Sequence, residues 1–205
     1  MNAISNSVLK GNQEPIDVQV FDVEKCFDAL WLQECINDLY EAGLDNDKLP
    51  LLFLENQNAK VAVKTDQGVS ERIDITNIVM QGSVWGSLFC TTSMDKLGQF
   101  VYQNEDLLYL YKGLVPVPPI CMVDDVLSIQ KCTESGKINA IINAFMEIKK
   151  LTLSSKKCSR IHIGKQKKEC QKLNVHASEM KNSTREKYLG DFIDKSGKIK
   201  ATIDD

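Results

Sequence analysis

The sequence predicts an α+β fold, an antiparallel sheet with helices packed on one face. Two observations lead there. Short Val- and Ile-rich runs and helical stripes follow in the order strand, helix, small hairpin, helix, strand–turn–strand, helix, strand. The strand–turn–strand unit and the hairpin before it join neighbouring strands directly, which fits α+β better than a doubly wound sheet. The 205 residues suffice for one domain with a core, and no repeat or low-complexity tract interrupts them.

Residues 1–16 are polar and expected to be disordered. Val18-Gln19-Val20-Phe21-Asp22-Val23 alternates and reads as a buried strand. Asp28 can cap a helix from Ala29 to Glu41, ended by Gly43, with Leu32, Ile36, Leu39 and Tyr40 as its apolar stripe. A second helix is expected around Lys48–Asn56. Ala59–Thr65 and Glu71–Ile75 flank Asp66-Gln67-Gly68, a hairpin signal. Ser83 can cap a helix reaching about Val101. Pro116, Pro118 and Pro119 exclude helix and lead into the strand Ile120–Val123. Asp124-Asp125 then forms a polar turn before the strand Val126–Ile129. Lys137–Leu151 reads as a helix with Ile138, Ile141, Ile142, Phe145 and Ile148 on one side. Arg160–Ile163 is a short strand, and Tyr188–Ile193 closes the ordered part before a tail at 194–205.

Composition narrows the class. No apolar run approaches the roughly 20 residues of a membrane span, and the start lacks signal-peptide character, so an intracellular protein without membrane contact is expected. Seven cysteines, an odd number with no Cys-x-x-Cys pair, point to reduced thiols. Cys158, His162, Cys170 and His176 superficially resemble a zinc site, but structural zinc sites usually pair their ligands across tight turns, which these spacings do not. The net charge of −3 counts mildly against nucleic-acid binding. Between Lys149 and Lys172, however, only Glu169 opposes a run of lysines and Arg160. That run is either a solvated face or a phosphate-contacting surface.

The acidic residues carry the chemical signal. Asp22 ends a hydrophobic strand, and Asp124 and Asp125 sit at the tip of a hydrophobic hairpin. Carboxylates there cost stability unless something compensates them. If the strands are neighbours, the like charges converge and repel. A divalent cation removes that conflict, and hard oxygen ligands suit Mg2+. Asp-Asp alone means little, because it is also a good turn sequence. Asp204-Asp205 is such a pair and is assigned no role.

The surroundings add weight. Phe21-Asp22-Val23-Glu24-Lys25-Cys26-Phe27-Asp28, Gln81-Gly82-Ser83, Met122-Val123-Asp124-Asp125, the segment Lys150–Cys158 and Tyr188-Leu189-Gly190 occur in that order. They resemble motifs A to E of non-LTR retrotransposon reverse transcriptases. The resemblance implies a polymerase palm over residues 17–193. It implies two Mg2+ ions, with Mn2+ as a substitute, held by Asp22, Asp124 and Asp125. Phe27 matches the residue under the incoming sugar, while Gln81 and Gly82 match the nucleotide contact. Lys157 matches the general acid for the leaving pyrophosphate, with Lys156 as a competitor. Tyr188, Leu189 and Gly190 match the primer-side turn.

Some positions depart from the pattern. Met122 replaces an aromatic residue, Met80 and Ser87 replace prolines, and Cys26 replaces alanine. None removes a catalytic atom. The expectation is therefore an RNA-directed DNA polymerase domain of a retroelement, a nucleotidyltransferase acting on an RNA template, a DNA primer and deoxynucleoside triphosphates. The short flanks suggest a truncated fragment without full fingers and thumb. The alternative is an inactive palm remnant that binds nucleic acid or protein.

Overall fold

In the computed structural model, residues 14–57, 59–75, 79–80, 82–165, 180–189, 191–195 and 199–200 are described. By internal contacts Lys25–Asp95 forms one compact unit, and the segments before and after it form the other.

The larger unit is built on strand β1 (Ile16–Asp22). Its alternation of Ile16, Val18 and Val20 with Asp17, Gln19 and Phe21 makes two faces, as a period of two requires. Among the described residues four further strands join its sheet: β8 (Ile120–Met122), β9 (Asp125–Lys131), β10 (Ser159–Ile163) and β11 (Lys181–Asn182). The order is β11-β10-β1-β9-β8. β1 pairs antiparallel with β9 and β10, β8 pairs antiparallel with β9, and only the β10–β11 pair is parallel. The expected antiparallel sheet is therefore present, with β1, buried along most of its length, at the centre.

One sheet face is apolar. Ile16, Val18, Leu127, Ile129, Ile161 and Ile163 pack there with Tyr109 and Ile193. Tyr109 belongs to the hairpin of β6 (Tyr109–Tyr111) and β7 (Val115–Val117), and Ile193 to β13 (Asp191–Asp194), which pairs with β12 (Arg185–Tyr188). The other face is covered by helix. There the Ser135–Ile148 helix buries Ile138, Ile142, Phe145 and Met146, and its Asn139 Oδ1 accepts a hydrogen bond from Gln130 Nε2 of β9 at 3.2 Å. Beneath it runs a seam of buried polar residues: Asp17, Gln19, Ser128 and Gln130.

The helix begins two residues before Lys137 and ends three before Leu151. Ile148, expected on its buried side, is 61% exposed because it sits in the last turn. Lys150 then reverses the chain with φ 57°.

In the smaller unit the expected Ala29–Glu41 helix is two pieces, Cys26–Ala29 and Leu32–Glu41. Leu30 breaks the helix in extended geometry and is buried. Asp28 therefore caps nothing and lies inside the first piece. Tyr40 is exposed, and Cys35 takes its place beside Leu32, Ile36 and Leu39. The helix Leu49–Gln57 and the hairpin, with Lys60 opposite Asp74 and Thr65 opposite Gly68, match expectation. The helix expected from Ser83 starts at Gly86 and runs to Tyr102. Ser83 Oγ accepts a 3.3 Å hydrogen bond from the Trp85 amide just before it.

Cys26, Cys35, Cys90, Cys121 and Cys158 carry no disulfide, but Cys132 is disulfide-bonded, against the expectation of reduced thiols throughout. Among the described residues no helix is long and apolar enough to cross a membrane.

Candidate active site

β1 delivers Asp22 to one end of the sheet. The β8–β9 hairpin delivers the other acids beside it, because Met122 pairs with Asp125 and Asp125 with Asp22. This register places the two-residue turn at Val123-Asp124. Asp125 is thus the first residue of β9 and not part of the tip, a correction to the reading of both aspartates as turn residues.

Val123 has φ 58°. Tight hairpin turns demand positive φ and normally place Gly or Asn there. A β-branched residue in that region stores strain of about 1–2 kcal/mol. The strain sits immediately before the aspartate pair.

The carboxylates interact. Burial pushes the Asp125 carboxyl above the ordinary aspartate range; the Asp124 and Asp22 charges push it further, and Lys157 opposes them. Asp22 Oδ1 is buried without a hydrogen-bond donor, though the Lys157 ammonium lies 3.0 Å away. Acceptor oxygens converging in this way fit a hard divalent cation.

Lys157 is placed by backbone pairing. Val23 bridges to Leu153, the Glu24 amide donates to Thr152 O at 2.8 Å, and the Ser154 amide donates to Asp22 O at 2.8 Å. The chain then turns, with the Lys157 amide donating to Ser154 O at 3.1 Å. Lys157 Nζ consequently reaches Asp22, donating to Oδ2 at 3.1 Å. That hydrogen bond, and then the Asp22 charge, push the Lys157 ammonium pKa upward. Between the competing lysines, the described contact to Asp22 belongs to Lys157. Cys158, next in sequence, lies with its thiol 4.0 Å from Asp22 O, and burial pushes that thiol up.

Tyr188 closes the unit's site from the β12–β13 side. Its hydroxyl donates to Ile120 O at 3.4 Å. Burial first, then the Asp125 charge and Cys121, push the phenol up to about 12. Leu189 turns the chain at φ 49°. Gly190 lies outside the described residues.

The remaining expected residues belong to the smaller unit. Phe27 is half-buried in the Cys26–Ala29 helix. Gly82 has φ 84°, a conformation that only glycine adopts without strain. Gln81 lies outside the described residues. Sequence reasoning overlooked Gly86. A Cβ there would stand 2.8 Å from Met80 O and 3.6 Å from the Phe27 ring. A second glycine four residues after Gly82 was the available signal. Arg160, counted in the basic run, faces inward, with Nη2 donating to Asn182 Oδ1 at 2.8 Å and Nη1 3.9 Å from Asp17.

Comparison with solved structures finds the same fold in yeast telomerases. The Candida albicans telomerase, in complex with a TWJ fragment of telomeric RNA, aligns with TM-score 0.66 at 15% identity over 98% of this chain. The Candida tropicalis telomerase in complex with the same type of RNA fragment aligns with TM-score 0.64 at 13% identity over 98%. An apo Candida tropicalis telomerase truncated from its C-terminal domain gives 0.59 at 16% over 97%. The chain spans 32%, 32% and 38% of those three chains respectively. Comparison with curated proteins finds no match. The family model described as reverse transcriptase (RNA-dependent DNA polymerase) matches residues 6–191, and the chain therefore belongs to the reverse transcriptase family.

Proposed function

We propose that residues 17–193 form the palm of a retroelement reverse transcriptase that extends a DNA primer on an RNA template. The observation that carries this reading is the meeting of Asp22, Asp124, Asp125 and Lys157 at one end of the sheet. RNA as template is supported by the family and by the telomeric RNA in two of the similar structures.

Asp22, Asp124 and Asp125 would hold two Mg2+ ions. When bound, such ions neutralise charge on the transferring phosphate and polarise the attacking hydroxyl. The protein's own contribution is positioning. The primer 3′-hydroxyl gives up its proton to solvent as its oxygen bonds to the α-phosphorus of a deoxynucleoside triphosphate and the bond to pyrophosphate breaks. Lys157 supplies the proton to that leaving group, and its pairing with Asp22 keeps it protonated beforehand. Phe27, through the motif correspondence, stacks under the sugar and excludes a 2′-hydroxyl, while Gln81 and Gly82 contact the nucleotide. Tyr188, Leu189 and Gly190 support the primer strand.

Primer extension with Mg2+ on the purified chain tests this. Asp124→Ala is expected to reduce extension by at least about a thousandfold. Extension that survives the substitution would overturn the site. No extension by a folded wild-type chain would favour a binding module instead.

A further inference from the structure

We propose that Asp17, His162 and Cys132 form a second metal site, specific for a borderline dication such as Zn2+ and available only when Cys132 is reduced. It lies at the opposite end of β1 from the carboxylates, on the opposite face, and is independent of the polymerase reading.

The backbone assembles the three residues from adjacent strands. Asp17 and His162 are register partners on β1 and β10. Cys132 follows the last residue of β9, and its amide donates to Pro15 O at 3.0 Å, which holds it beside the start of β1. Ser135 Oγ fixes the following turn by donating to Cys132 O at 3.2 Å. One ligand-type atom from each of the three residues lies within 4.8 Å of the others. Sites built on strands hold ligands more firmly than sites on loops.

Among the described residues this polar cluster is incompletely partnered. Asp17 is 1% exposed, and its Oδ2 has no hydrogen bond. His162 Nδ1 lies 2.9 Å from Asp17 Oδ1, yet its Nε2 is buried without a partner. Gln19, next on the same face of β1, is wholly buried, and neither its Oε1 nor its Nε2 is bonded. Gln130, opposite Asp17, leaves Oε1 unbonded. Leaving buried polar atoms unpaired costs about 1–3 kcal/mol each. A coordinated cation with its bound water would satisfy several at once.

The donor set selects the ion. Thiolate, imidazole and carboxylate together suit Zn2+ and not Mg2+, which prefers oxygen alone. Two negative ligands balance the ion's charge. Arg160 is the opposing cation, 3.9 Å from Asp17, but Asn182 Oδ1 holds its guanidinium through two nitrogens. These partners differ from those the sequence spacing suggested: His162 ligates with Asp17 and Cys132, and Cys158 belongs to the Asp22 side.

Cys132 gates the site, because a disulfide sulfur is not a thiolate ligand. A dithiol reductant cleaves the Cys132 disulfide, giving two protein thiols and the reductant's own disulfide. The Cys132 thiol then releases its proton as it takes the metal.

The test is titration of the phosphine-reduced, full chain with Co2+ under anaerobic conditions, followed by Zn2+ displacement. A thiolate-to-cobalt charge-transfer band saturating at one equivalent is expected, and Zn2+ should abolish it. Cys132→Ser should remove the band, and His162→Gln should weaken binding at least about a hundredfold. Cys158→Ser should leave both unchanged. The oxidised wild-type chain, which needs no substitution to fold, should show no band. Absence of the band in the reduced chain overturns the proposal, as does its persistence in Cys132→Ser or in the oxidised chain.

Discussion

Asp17 and Asp22 lie on one strand but live in different environments. They are five residues apart, so a period of two turns them to opposite faces. The Asp17 side chain is 2% exposed, and that of Asp22 is 24% exposed. Asp17 is enclosed under helix with His162 and Arg160 as neighbours. Asp22 stands at the open end among like charges, opposed by one exposed lysine. Asp17 is paired with His162, whereas at the other end the like charges of Asp22 and Asp124 act against the ionised Asp125. The difference shows that one residue type on one strand can meet an enclosed, paired environment at one end and an open, like-charged one at the other.

The strongest way to break this contrast is to exchange the readouts. Asp22→Ala should cost at least about a thousandfold in primer extension with little change in urea stability. Asp17→Ala should do the reverse, losing about 2–3 kcal/mol in urea unfolding while the folded fraction keeps its specific activity. Equal loss of activity in both would erase the distinction.

Lys157 sharpens the chemical end. Lys157→Met is expected to lower kcat about a hundredfold in single-turnover extension with primer affinity nearly unchanged. A loss confined to primer binding would make it a phosphate contact instead.

The smallest effect concerns Asp125. Its carboxyl pKa is raised on folding, so the folded state holds that proton more tightly. Ionisation therefore costs stability, a cost absent below the unfolded pKa and complete above the folded one. Asp125→Asn should raise Tm by about 1 °C at pH 7 and give no gain near pH 3. A larger gain at the acid end would reverse the sign of the argument.

Much of the sheet was legible because its strands are short apolar runs bounded by turn residues. Val18–Phe21 and Val126–Ile129 needed no tertiary information. The helix break at Leu30 was not legible, because periodicity runs through it. Only packing shows that Leu30 gains more by entering the core in extended form. The turn at Val123 was hidden for a similar reason. Valine disfavours that conformation locally, and the pairing of Met122 with Asp125 imposes it. The buried polar seam left no sign beyond ordinary strand alternation.

The sequence by itself determined the α+β class, the chain order of the elements and the identity of the acidic residues. Those follow from local periodicity and from residue chemistry, which need no partner. The tertiary structure alone decided that Asp22 faces Asp125, that Lys157 and not Lys156 reaches Asp22, and that Arg160 turns inward. It alone joined Asp17, Cys132 and His162. Register between strands distant in sequence makes these choices, because a shift of one residue would turn every side chain to the other face.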